Sequence, residues 1–163
     1  MDKNKAVHKL EGLPKVLWIN LDRVPERKQY MEEQLSYWGI EDHHRISGVD
    51  GVEYEEYLKG TVPDNMNSGE CACVMSHLNA IKYFVEETDF NEVIIMEDDI
   101  DLSPARHWTF TWKGIRKKMP VNFDTCQFTI INPNGIHMKI HHRFINDFSA
   151  ACYIITRHHA EKI

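Results

Sequence analysis

Two short apolar runs, Val16-Leu17-Trp18-Ile19 and Val93-Ile94-Ile95-Met96, each break off into polar side chains, the first at Asn20, Asp22 and Arg23, the second at Glu97, Asp98 and Asp99. Neither run is long enough for a helix. An unbroken apolar stretch of this length suits a strand covered on both faces. The chain between the runs has a different period. Pro25 fits the first turn of a helix, and Met31, Leu35 and Trp38 follow at helical spacing before Gly39 supplies a stop. Ser68-Gly69 opens a second helix, in which Val74, Leu78, Ile81 and Val85 are expected to form the buried face. Alternating strands and helices imply an α/β domain whose central sheet is mostly parallel and flanked by helices.

The remaining segments extend this pattern. A short strand at Arg45-Ile46-Ser47 leads into Gly48-Val49-Asp50-Gly51, where two glycines flanking an Asp imply a tight turn, and residues 53–67 read as polar and irregular. Pro104 is expected to open a helix carrying Trp108, Trp112, Ile115 and Met119 on one face, closed by Pro120. These tryptophans suit a core position better than a sugar-stacking one. Further strands are expected at 126–131, 136–140 and 150–156. Residues 157–163 begin a helix-like segment with an apolar face that calls for something further to pack on, so residues 1–163 read as a single domain truncated at its C-terminus, or a short member of its class.

With 163 residues, 42% of them hydrophobic and 27% charged, the chain can bury the core of one globular domain. A net charge of -6 argues against broad capture of nucleic acid, which relies on clustered Lys and Arg. No apolar run approaches the roughly 20 residues of a membrane-spanning helix, and Met1-Asp2-Lys3-Asn4-Lys5 lacks a signal-peptide core, so the expected location is cytoplasmic. The four cysteines include no CxxC pair and are read as reduced, mostly buried thiols rather than zinc ligands. Adjacent histidines, at His43-His44, His141-His142 and His158-His159, are expected to place one ring inward and one in solvent.

Ligands of open α/β sheets collect at the carboxyl ends of the strands. Carboxylates as crowded as Glu97, Asp98, Asp99 and Asp101 repel one another unless a cation or a proton offsets the cost. A divalent ion held by Asp99, with Asp98 or Asp101 assisting, would suit a diphosphate ligand. An acidic loop with no ligand is the plainer alternative. Arg23 and Arg27 either contact phosphate or pair locally with Asp22 or Glu26.

Taken in order, Ile19-Asn20-Leu21-Asp22-Arg23 with Arg27, Gly48-Val49-Asp50-Gly51, the run from Gly69 and Glu70 to Ser76-His77, Ile94-Ile95-Met96-Glu97-Asp98-Asp99, and Ala151-Cys152-Tyr153-Ile154-Ile155-Thr156 with Ala160 resemble glycosyltransferase family 25. That family includes lipopolysaccharide and collagen galactosyltransferases. The resemblance implies a GT-A type, Rossmann-like fold and transfer of galactose or glucose from a UDP-sugar, with inversion, to a hydroxyl of a glycan, lipid-linked sugar or protein. It implies a manganese or magnesium ion at the acidic motif, with Asp99 the leading ligand beside Glu97 and Asp101. Asp98 would meet the ribose or the sugar, near the reacting centre. Asn20, Asp22, Arg23 and Arg27 would lie by the nucleotide, and Ser76 and His77 would face the donor pocket. Inverting transfer needs a carboxylate base, for which Asp147 is the candidate, its alternative being a solvated turn residue. Two other readings stay open: a non-catalytic UDP-sugar or glycan-binding module, and a metal-dependent phosphohydrolase or nucleotidyltransferase.

Overall fold

The computed structural model describes residues 4–53, 66–130, 142–143 and 147–163. In chain order its main elements are β1 (Val16–Asn20), α1 (Pro25–Tyr37), β2 (His43–Ser47), α2 (Ser68–Glu87), β3 (Glu92–Glu97), α3 (Trp112–Arg116), β4 (Thr125–Gln127), β5 (Cys152–Thr156) and α4 (Arg157–Ala160). The five strands form one sheet in the order β2-β1-β3-β5-β4. The chain is therefore α/β, with helices covering both faces of the sheet.

All five residues of β1 are buried because its two faces meet different layers. Val16 and Trp18 pack with Met31, Leu35 and Trp38 from α1 and its end, and with Trp112. Leu17 and Ile19 point the other way, toward Ala80, Ile81 and Phe84 of α2. α1 begins with Pro25 in its first turn, where a missing N–H costs nothing. It ends at Gly39, whose φ of +68° takes the left-handed turn that lets Ile40 N donate to Leu35 O at 2.9 Å.

The sheet is not mostly parallel. β1 runs parallel to β2 and to β3, but β5 runs antiparallel to both β3 and β4. An apolar strand pattern reports burial on two faces and carries no information on direction. β5 begins beside the end of β3, where Glu97 N donates to Ala151 O at 2.8 Å, and runs back from there.

Three local expectations also change. α2 is capped by Asn67, one residue before the expected start, through a reciprocal box in which Glu70 N donates to Asn67 Oδ1 (2.9 Å) and Asn67 N to Glu70 Oε2 (2.8 Å). Its buried face is Ala72, Ser76, His77, Ala80, Ile81 and Phe84, whereas Val74 and Leu78 are 49% and 46% exposed. Small side chains let the helix approach the sheet closely, and that closeness outweighs the larger apolar side chains on its other flank. The helix expected after Pro104 is broken into a 3-10 turn at Ser103–His107 and the short α3, which Thr111 caps by accepting from Gly114 N at 3.2 Å. Trp112 is core, edge-on to Phe128 with ring centroids 5.6 Å apart, and Trp108 packs on that core half-buried. The strands expected at 126–131 and 150–156 are the shorter β4 and β5. The strand expected at 136–140 lies outside the described residues, as does most of the 53–67 segment.

Candidate functional site

Parallel pairing in register brings Ile19 of β1 opposite Glu97 of β3, so both strands spill their polar residues at the same edge. A cleft of about 290 Å³ opens there, between these strand ends and the first half of α2. Asn20, Arg23, Arg27, Asp50, Ser76, His77, Glu97 and Asp98 all line it.

Asn20, only 2% exposed, organises one wall. Its Nδ2 donates to Asp98 Oδ2 at 2.7 Å and to Val24 O at 3.2 Å, while its Oδ1 accepts from Arg45 Nε at 2.9 Å. Arg27 Nη1 donates to the other Asp98 oxygen at 2.9 Å. Asp98 is thus a buried carboxylate held by one amide and one guanidinium. Arg45 also pairs with Asp22, which accepts from Ser47 Oγ at 2.7 Å. Arg45 first and Ser47 second hold the Asp22 carboxyl below the ordinary range. Arg23 pairs with Asp50. The Val52 N–H and then Arg23 keep the Asp50 carboxyl low, against the opposing cost of burial. Neither arginine takes the local partner considered from sequence, Asp22 or Glu26; each reaches across the cleft edge to a distant carboxylate.

α2 supplies the opposite wall. Ser76 Oγ donates to Ala72 O at 2.7 Å and accepts from Val49 N at 2.8 Å, fastening the turn after β2 to the helix. Gly51 permits that approach, since a Cβ there would sit 3.0 Å from Gly69 Cα and Ser68 O. His77 is buried between Tyr153 Oη, 3.2 Å from Nδ1, and Glu97 Oε1, 3.3 Å from Nε2. Burial pulls the imidazole pKa down, but hydrogen bonds to Cys73 and Glu97 outweigh it and raise it to about 9. Burial also pushes the Tyr153 phenol well up.

The carboxylates of the acidic run separate. Glu97 turns to His77 and Asp98 to Asn20 and Arg27, while Asp99 is exposed with Arg27 at 3.7 Å. Asp101 accepts from Ser103 N at 2.7 Å and Ser103 Oγ at 2.6 Å, which closes the turn into the next segment. Neither Asp99 nor Asp101 lines the cleft, and neither does Asp147, which is buried elsewhere with its carbonyl accepting from Arg143 at 3.2 Å.

A sequence model described as glycosyltransferase family 25 (LPS biosynthesis protein) matches residues 13–163, a span holding every element of this cleft. The chain belongs to glycosyltransferase family 25. A relative from Drosophila melanogaster, described as a glycosyltransferase 25 family member, is 33% identical over 117 residues, covering 64% of this chain and 19% of that protein. Another so described, from Drosophila pseudoobscura pseudoobscura, is 32% identical over 105 residues, covering 56% of this chain and 16% of its own length. This family 25 chain therefore spans less than a fifth of the curated relatives it matches.

Within the family 25 chain, Cys73 escaped the sequence reading. It is exposed rather than buried, lines the cleft, and places Sγ 4.0 Å from Glu97 Oε1. The signal for it was its spacing of four residues from His77, which puts the two on one helix face. Of the four cysteines, all free, only Cys152 is buried. His43 and His159 are half-buried beside exposed His44 and His158, so the inward ring of each pair is only partly covered; His141 is outside the described residues. No helix among the described residues is long and apolar enough to cross a membrane.

Proposed function

We propose that this domain is the donor-binding part of a glycosyltransferase of GT-A type, which takes galactose or glucose from a UDP-sugar and passes it to a hydroxyl of a glycan, a lipid-linked sugar or a protein. The observation that carries the reading is the Asn20–Asp98–Arg27 arrangement at the carboxyl ends of β1 and β3, in a chain of family 25. Brought together there are a fixed carboxylate and cations within reach of one ligand.

The chemistry follows from what each group offers. Arg23 and Arg27, both half-exposed at the mouth, present guanidinium forks that suit the two phosphates of a nucleotide diphosphate. His77, its pKa raised to about 9, adds a buried positive charge while no metal ion occupies it, facing the charge that builds on the departing diphosphate. Asp98, each oxygen holding one donor, keeps lone pairs for sugar or ribose hydroxyls. An inverting transfer also requires a base for the acceptor hydroxyl; Asp147, chosen for its place shortly before β5, is the carboxylate proposed for it, and the acceptor side would have to reach it.

A manganese or magnesium ion, which the family resemblance implies, is proposed at exposed Asp99, where one or two carboxylates would hold it and the diphosphate would complete its shell; the acidic run forms no closed cluster of its own. Glu97, Asp98, Asp99 and Asp101 face separate partners, and among the described residues no three of them bring ligand atoms within 4.8 Å of one another. Arg23, Arg27 and metal-free His77 are assigned a share of the charge compensation.

Calorimetric titration with UDP, UDP-galactose and UDP-glucose, each with and without manganese, tests the reading; no heat of binding in any of them overturns it. One observation favours a second reading, the binding module without turnover: Asp147 does not line the cleft. UDP binding with no UDP released from donor across a broad acceptor panel would select it.

A further inference from the structure

One turn of α2 separates Cys73 from His77, so both side chains leave the same side of the helix, toward Glu97 at the end of β3. One ligand atom from each of the three lies within 4.8 Å of the other two. His77 Nε2 stands 3.3 Å from Glu97 Oε1, and Cys73 Sγ stands 4.0 Å from the same oxygen. Around a tetrahedral zinc ion, bonds of about 2.3 Å to sulfur and about 2.0–2.1 Å to nitrogen or oxygen set neighbouring ligand atoms roughly 3.3–3.6 Å apart. The imidazole–carboxylate edge already has that length. On its edge to Glu97 the sulfur has a few tenths of an ångström to close, its edge to the imidazole lies within 4.8 Å, and Cys73, being exposed, is free to make the adjustment.

The surroundings suit a cation as well. Tyr153 Oη occupies His77 Nδ1 at 3.2 Å, which turns Nε2 toward Glu97 and fixes the ring, as the outer partner of a ligating histidine does. Among the described residues no Lys or Arg bonds to Glu97: Arg27 is taken by Asp98 and Asp99, and Arg23 by Asp50. Cys73, His77 and Glu97 all line the cleft, so the side of the cluster away from the protein is open. A thiolate with an imidazole and a carboxylate selects zinc over manganese or magnesium, which take oxygen ligands.

We infer that Cys73, His77 and Glu97 are a three-ligand zinc site whose fourth position opens into the cleft, where water or a ligand oxygen completes the tetrahedron. The site needs no nucleotide sugar and stands whether or not the donor reading does. Binding deprotonates the thiol and takes the imidazole neutral, so zinc uptake releases protons.

The test uses the untagged chain, reduced and stripped by a chelator, titrated with zinc against a chromophoric competitor and, separately, with cobalt(II). One equivalent of zinc should bind, and cobalt should give the thiolate-to-metal charge-transfer band of a cysteine ligand. Cys73→Ser should abolish that band while leaving the circular dichroism spectrum unchanged, because the side chain is exposed. Tyr153→Phe should keep the band but weaken zinc binding roughly tenfold or more through loss of the outer partner. Absence of stoichiometric zinc binding, or a cobalt band that survives in Cys73→Ser, overturns the assignment.

Discussion

Asn20→Ala removes the group on which the cleft wall converges. The substitution deletes a donor to the Asp98 carboxylate, a donor to Val24 O and an acceptor for Arg45 Nε. Asp98 is buried at 8% exposure, so water cannot simply replace the lost donor, although Arg27 still holds its other oxygen. A hydrogen bond to a charged group contributes about 1.5–3 kcal/mol and a neutral one about 0.5–1.5. The Val24 bond is long and Arg45 keeps its contacts to Asn20 O and Asp22, so the expected destabilisation is ~3 kcal/mol. For a chain of this size that lowers Tm by roughly 6–12 °C. Urea denaturation should give a lower midpoint at unchanged slope, since the folded and unfolded surfaces barely change. UDP affinity should fall with it, because Asp98 and Arg27 lose their fixed geometry. A loss below about 1 kcal/mol in Asn20→Ala would refute the claim that this amide holds the site together.

Three further outcomes follow from the same geometry. Ser76→Ala leaves Val49 N–H without its acceptor and should cost about 1–3 kcal/mol, and Gly51→Ala, which forces a Cβ onto the backbone of Ser68 and Gly69, should cost a similar ~1–3 kcal/mol; both are read by chemical denaturation, and both should weaken UDP binding by loosening the turn. Phe84→Ala, at a fully buried position, should cost about 3–5 kcal/mol, whereas Leu78→Ala, on the exposed flank of the same helix, should stay within about 0.5 kcal/mol; equal losses would contradict the reassigned helix face. Asp22 and Asp50 have carboxyls held below their unfolded values, so their stabilisation is present above the unfolded value of 3.8 and disappears as pH falls through the lower folded ones. Asp50→Asn should therefore flatten the acid limb of the stability curve below about pH 4, and an unchanged limb would argue against the Val52 and Arg23 contacts.

The parts of the fold that were legible from sequence are those set by local chemistry. Pro25 and Gly39 bracket α1 because each residue type has a backbone conformation that suits one end of a helix. The run at Val93 is a buried strand, as its shortness and its β-branched Val and Ile residues indicate. What escaped was decided by distant partners. Val74 and Leu78 match helical spacing as well as Ala72, Ser76 and Ala80 do, and only the sheet's proximity chooses the smaller set. The direction of β5 is set by where the preceding chain delivers Ala151, which no pattern within 150–156 records. At the site, Asn20, Asp98 and the two arginines were picked out by their position after strands. Their pairing was not, since Arg23 and Asp50 or Arg27 and Asp98 meet only when separate elements fold together. Cys73 carries no signal as half of a CxxC pair; its signal is the four-residue spacing to His77, which matters only once both lie on one helix.

The reversed strand has a consequence for the order in which this molecule can be assembled. β5 sits between β3 and β4; it supplies Tyr153, against His77, and the residue just before it, Ala151, meets Glu97. Until that late stretch has been synthesised, β3 carries a bare edge of unpaired amides and carbonyls, the kind of surface on which nascent chains stick to one another. The cleft's acidic corner, though encoded well before β5, has its full set of partners only once that strand is in place. Long-range closure of this sort makes for slow folding, and it ties the geometry around Glu97 to the fate of residues translated well after it.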